Sequence, residues 1–159
     1  MAGNCILDEQ LTTAQIKNVL MADEFCSLTT CSENTPSISS YFYGFSYVKG
    51  ELRIYLDIIN SNIEFTNITE NPKVSLLFEN RTIDSNNLNS IIYDTVIANG
   101  EVRIIKNYNE SKCLRNKIMC RNSLNKTGVK CISEENSTTI IEVIVKETTG
   151  TRNIFNLAN

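Results

Sequence analysis

The sequence predicts a mainly β protein: a small six-stranded antiparallel barrel with short flanking helices, in one domain. Six segments rich in β-branched and aromatic residues are separated by turn-length polar stretches. One short helical segment sits between the third and fourth of them, so strands do not alternate with helices as they would in a parallel, doubly wound sheet. At 159 residues the chain is one domain long and can bury a core without staples.

The elements follow in order. "LTTAQIKNVLMADEF" opens with Thr12 or Thr13 as an N-cap, and Ile16, Val19 and Leu20 recur at helical spacing, which predicts a helix over 13–22. "EFCSLTTC" alternates Phe25, Ser27 and Thr29 against Cys26, Leu28 and Thr30, the period of a strand. "SENTP" is turn chemistry. "SISSYFYGFSYV" is an aromatic second strand, whose Gly44 marks a bulge or a close backbone approach. After the turn "KGE", "LRIYLDII" completes an antiparallel meander of three strands.

"SNIEFTNITENP" reads as a helix of two to three turns. Ser61 is its expected N-cap, Glu64 completes a capping box, and Ile63, Phe65 and Ile68 are the apolar residues that pack it onto the barrel. Pro72 ends it, because the residue before a proline disfavours helix. "KVSLLFEN" is a strand, "RTIDSNNLNS" a polar loop, and "IIYDTVIANGEVRII" a long strand expected to bend or bulge near Gly100. "YNESKCLRNKIMCRNSL" is a helix with Cys113 and Cys120 on one face. Lys126 to Asn136 is expected to be irregular, and "STTIIEVIVKETTGTR" supplies the last strand and a tail.

Composition removes several classes of function. Hydrophobic residues make up 42% and charged residues 21%, as in an ordinary globular protein. The net charge of −3 and the lack of a basic run disfavour nucleic acid as a partner. No apolar run approaches the ~20 residues of a membrane span. "MAGNCILDEQL" carries acids early and no basic n-region, so a cytoplasmic location is expected. The six cysteines include no C-x-x-C pair, which argues against a zinc knuckle or a thioredoxin-type redox pair. Cys26 and Cys31 are five apart on a strand and point to opposite faces, so no mutual disulfide is expected. The absence of histidine removes Ser-His and Cys-His nucleophile pairs and histidine-ligated metals. If the protein is a catalyst, a cofactor supplies the reactivity.

"TPSISSYFYGFSYVKGELRIYL", then "NPKVSLLFENR", then "TVIANGEVRII" resemble, in that order and spacing, the split-barrel flavin-binding proteins related to pyridoxamine 5′-phosphate oxidase. The likeness covers residues 15–148. It implies FMN bound at the interface of a homodimer. Ser39, Ser40, Tyr41 and Phe42 on the second strand, and Ile58 and Ile59 at the end of the third, would flank the isoalloxazine ring. Thr95 matches a position that hydrogen-bonds the flavin from the second subunit. The family's phosphate grip falls on the start of "NSNIEFTNITENPKVSLLFENR", where Ser61, Asn62, Thr66 and Asn67 offer hydroxyls and amides. The two basic residues usual there are replaced by Ile63 and Glu64, and a carboxylate repels phosphate. Arg81 is the candidate replacement cation.

The resemblance implies an FMN-dependent oxidoreductase. Two alternatives stay open: a binder of flavin or another small molecule without turnover, and a homodimer that has lost its cofactor. Oxidation of pyridoxamine phosphate itself is not expected, since the chain has no C-terminal Arg-rich substrate motif. Each candidate also has a structural explanation. Ser61–Asn67 can be a capped helix, and Tyr41, Phe42, Tyr43, Phe45 and Tyr47 can be core and interface packing. Asp57 and Glu64 can be solvated acids, and Arg53, Lys73 and Arg81 surface charges.

Overall fold

A computed structural model describes residues 5–86, 89–121 and 137–156. Its elements are β1 (Cys5–Gln10), α1 (Thr13–Ala22), β2 (Phe25–Ser32), β3 (Thr35–Val48), β4 (Glu51–Ile59), α2 (Ile63–Glu70), β5 (Lys73–Ile83), β6 (Ser90–Ile104), α3 (Tyr108–Arg121) and β7 (Thr138–Asn156). Lys126–Asn136, expected to be irregular, lies outside the described residues.

Hydrogen-bonded strands follow the order β1-β7-β4-β3-β2-β5-β6, and β6 also pairs with β7. That last pairing turns six strands into a partly closed ring, with β1 appended to β7. The sequence reading anticipated the six and missed β1, giving seven strands rather than six. "CILDEQ" shows little of the apolar alternation that marks a half-buried strand.

α1 spans the predicted residues. Thr12 is its N-cap: its Oγ1 accepts the Gln15 N–H at 3.3 Å, and Gln15 Oε1 accepts the Thr12 N–H at 2.8 Å. Two-residue hairpin turns connect β2 to β3 through Glu33 and Asn34 (φ 48° and 63°) and β3 to β4 through Lys49 and Gly50 (φ 52° and 85°). Positive φ at both positions matches the twist of the paired strands. Pro36 lies within β3 opposite Cys31, not in the turn.

The chain forms two compact units, and β5, β6 and β7 contribute residues to both. The first comprises Met1–Asp23, Leu77–Ile97 and Thr148–Asn159. Here Arg152 donates to both oxygens of buried Asp94 at 2.8 Å, a bidentate, charge-assisted pair. Thr95 exchanges a hydrogen bond with Thr151 at 2.8 Å. A Cβ on Gly150 would fall 2.9 Å from Ile16 and 3.0 Å from Leu11, so only glycine admits this contact.

The second unit comprises Glu24–Leu76 and Ala98–Glu147 and contains β2, β3, β4, α2 and α3 whole. Tyr55, Ile105, Leu114, Ile118 and Ile140 form a buried apolar cluster, with Phe42 packed against it. Gly44 serves a close approach, because a Cβ there would stand 3.2 Å from the Ile118 backbone nitrogen. At Gly100 a Cβ would come within 2.4 Å of the Ile144 carbonyl oxygen. Arg53 is not the surface charge expected: its side chain is mostly buried, and it pairs with Glu51 at 2.5 Å. Cys26 and Cys31 are both free thiols, and Cys113 and Cys120 are exposed on α3.

α2 departs most from expectation. Its N-cap is Asn62, not Ser61, and no side chain caps it. Ile63 is 58% exposed, while Glu64, Asn67 and Ile68 form the buried face. The helix is fastened to the sheet by polar groups. Asn67 donates to the Thr30 hydroxyl at 2.9 Å, and Asn71, just past the helix, donates to the Cys31 carbonyl at 3.1 Å. Among the described residues no helix is long and apolar enough to cross a membrane.

Candidate functional site

A groove of about 530 Å³ opens in the second unit between β3, the end of β4, the start of α2, and α3. That volume suits a ring system of cofactor size. Phe25 and Phe42 face each other across the β2–β3 pair with ring centroids 4.0 Å apart. With Ile59, Ile118 and Met119 they form an apolar lining. Ser39, Ser40, Tyr41, Asn62 and Thr138 add polar groups to it.

Two charged side chains line the groove, and they neutralise each other. Arg115 Nε donates to Asp57 Oδ2 at 2.7 Å, and one terminal nitrogen donates to Asp57 Oδ1 at 3.3 Å and to the Thr138 hydroxyl at 3.1 Å. Asp57 is therefore not the solvated acid expected from sequence. The pair ties α3 to β4 and so fixes Ile118 and Met119, one helical turn on, in the groove wall.

Glu64 is not solvated either. Its side chain is buried behind the polar end of the groove. Ser37, Ser39 and Tyr41 lie at alternate positions on β3 and so share one face. All three hydroxyls hydrogen-bond the Glu64 carboxylate, Ser39 at 2.5 Å and Ser37 at 3.1 Å. Burial pushes the Glu64 pKa up. The hydrogen bonds from Ser39, its own backbone N–H, Ser37 and Tyr41 outweigh that and hold it below the usual carboxyl value. Burial, reinforced by the Glu64 charge, raises the Tyr41 phenol, which keeps its proton.

Six of the residues singled out from sequence meet in this groove: Ser39, Ser40, Tyr41, Phe42, Ile59 and Asn62. The others lie elsewhere. Ile58 is fully buried in the core. Ser61 and Thr66 are exposed, and the Thr66 carbonyl accepts from Thr69. Asn67 is buried and committed to Thr30. Arg81, exposed on β5, and Thr95 belong to the first unit. Sequence reasoning missed Phe25, Arg115, Ile118, Met119 and Thr138, and set Asp57 aside as a solvated acid. Arg115, Ile118 and Met119 stand at i, i+3 and i+4, a helical stripe that periodicity could have flagged.

Tested against a flavin, the two ends of the groove behave differently. The apolar lining suits a planar aromatic ring, and Ser40, Asn62 and Thr138 can satisfy its polar edge. The α2 end does not suit a terminal phosphate. A buried carboxylate lies behind it, and Arg115, the one cation lining the groove among the described residues, is already paired with Asp57.

This ring of antiparallel strands is a split barrel. A sequence profile of the pyridoxamine 5′-phosphate oxidase family matches residues 12–150, so the chain belongs to that family. A search of curated proteins found no match. Solved structures share the fold at low identity. A FAD-binding protein from Mesorhizobium loti is 14% identical, with a TM-score of 0.71 over 92% of this chain and 99% of that one. A candidate 5-nitroimidazole antibiotic resistance protein from Bacteroides thetaiotaomicron is 13% identical, with a TM-score of 0.74 over 98% and 94%. A flavocytochrome from Azotobacter vinelandii is 12% identical, with a TM-score of 0.62 over 96% and 80%.

Proposed function

We propose that the protein binds a flavin by its isoalloxazine ring in the groove lined by Phe25, Phe42, Ile118 and Met119, and that it is a flavin-dependent oxidoreductase acting as a homodimer. The observation that carries this reading is the groove itself: an apolar slot with a polar rim, built from the segment that the family resemblance assigns to the ring. The FAD-binding and flavocytochrome relatives support the same class of ligand.

A bound flavin supplies two-electron chemistry at its ring. The chain's own residues orient that ring and exclude water. Phe42 and Met119 offer apolar surface, and the Asp57–Arg115 pair holds α3 in place. No histidine is available as an acid or base. A second copy of the chain gains by covering Phe25, Ile38, Ile59 and Ile63, each 45–65% exposed and each lining the groove or next in sequence to a residue that does.

The test is a visible spectrum of the purified protein before and after denaturation, followed by reduction with NADH or NADPH and sedimentation to count subunits. Flavin absorbance released on denaturation, bleached by a nicotinamide donor in a dimer, is the expected result. A colourless protein that takes up no added flavin rejects the proposal. A flavoprotein that no donor reduces would instead be a carrier or sensor.

A further inference from the structure

At the polar end of the groove the buried Glu64 carboxylate decides how the lining hydroxyls of β3 are used. Ser39 and Tyr41 line the groove, yet both direct their hydroxyl hydrogens to Glu64. What Ser39 leaves facing a ligand is oxygen lone pairs, while the Tyr41 oxygen accepts from the Asn62 amide at 3.5 Å. The charges at the site are Asp57 and Arg115 on the lining and Glu64 behind Ser39 and Tyr41, which sum to −1. Arg115 is held by Asp57 and Thr138. A phosphate brings nearly two negative charges and needs donors. A hydroxylated, uncharged chain brings donors and no charge, which is what this end can satisfy.

We propose that Glu64 makes the groove select a flavin with an uncharged polyol tail, riboflavin, over the phosphate-terminated FMN. The inference rests on the flavin reading above and goes further by naming the form of the ligand. Glu64 acts here as a specificity determinant through Ser39 and Tyr41.

The experiment is a fluorescence titration of the full chain with lumiflavin, riboflavin and FMN, in the wild type and in Glu64→Gln and Glu64→Lys. Lumiflavin carries the ring alone and reports whether the ring site is intact in each variant. For the wild type, riboflavin is expected to bind at least tenfold tighter than FMN. Glu64→Gln should narrow that ratio to within about threefold, and Glu64→Lys should invert it, with lumiflavin affinity unchanged in both. FMN binding as tightly as riboflavin to the wild type overturns the inference while the flavin reading stands. So does a ratio that both variants leave untouched. If Glu64→Lys does not fold, the wild-type and Glu64→Gln ratios decide. If none of the three ligands binds the wild type, the flavin reading fails and the inference falls with it.

Discussion

Arg115 on α3 grips both carboxylate oxygens of Asp57 on β4, 58 residues away in sequence, at 2.7 and 3.3 Å. This pair joins the helix that carries Ile118 and Met119 to the sheet that carries the rest of the groove. Both side chains are mostly buried, at 15% and 19% exposure. Removing one partner of a fully buried pair costs about 3–5 kcal/mol, so roughly 2–3 kcal/mol is expected here. Arg115→Met should lower stability by that amount in urea and weaken flavin binding as well. Asp57→Asn combined with Arg115→Met should recover part of the stability, since no charge is then stranded. Equal losses in the single and double variants would show that the pair is not what holds α3.

The Asp94–Arg152 pair makes the same case in the first unit. Asp94 is the more buried partner, with its side chain 7% exposed against 25% for Arg152. Arg152→Ala should therefore destabilise the protein more than Asp94→Asn, because it strands a buried carboxylate. Denaturant midpoints of the two variants measure the order. The reverse order would mean that Asp94 has another partner of equal weight.

Glycine positions give a ranked expectation. Gly100→Ala drives a methyl against the Ile144 carbonyl oxygen at 2.4 Å, which forces backbone to move. Gly44→Ala meets the Ile118 nitrogen at 3.2 Å and needs only a small shift of α3. Overpacking of this kind costs about 1–3 kcal/mol, and Gly100→Ala should lie at or above the top of that range. Thermal melts that ranked Gly44→Ala as the more damaging would contradict the strand packing described for β6 and β7.

Glu64 gives a pH dependence with a definite sign. Its carboxyl pKa is lower in the folded chain than the ordinary 4.5. The resulting stability is therefore fully present above about pH 5 and is lost as pH falls through the lowered folded value. Glu64→Gln should be less stable than the wild type at pH 7, by about 1–2 kcal/mol, since Ser37, Ser39 and Tyr41 lose a charged acceptor. The gap should close in acid. A gap independent of pH between 7 and 3 would mean that Glu64 is not ionised in the folded protein.

Much of the fold was legible in the sequence because alternation and turn residues dominate it. The ring's six strands, α1 with its Thr12 cap, and the close approach at Gly44 all follow from local pattern. α2 was misphased for a physical reason. Apolar periodicity selects Ile63, Phe65 and Ile68, but the helix buries Glu64 and Asn67 with Ile68, because hydroxyls on β2 and β3 satisfy them. A buried polar face is invisible to a hydrophobic count. The Asp57–Arg115 clasp was missed because nothing local links residues that far apart. The strand side of the groove was readable, from Ser39 to Phe42. The α3 side depended on tertiary pairing.

A crystal structure of the chain soaked with riboflavin tests the central claim most directly. The isoalloxazine ring should lie in the groove against Phe42 and Met119, with the polyol tail towards Ser39, Tyr41 and Asn62. Riboflavin bound at another surface, or a groove filled by the protein's own side chains with no flavin in it, would contradict the proposed function.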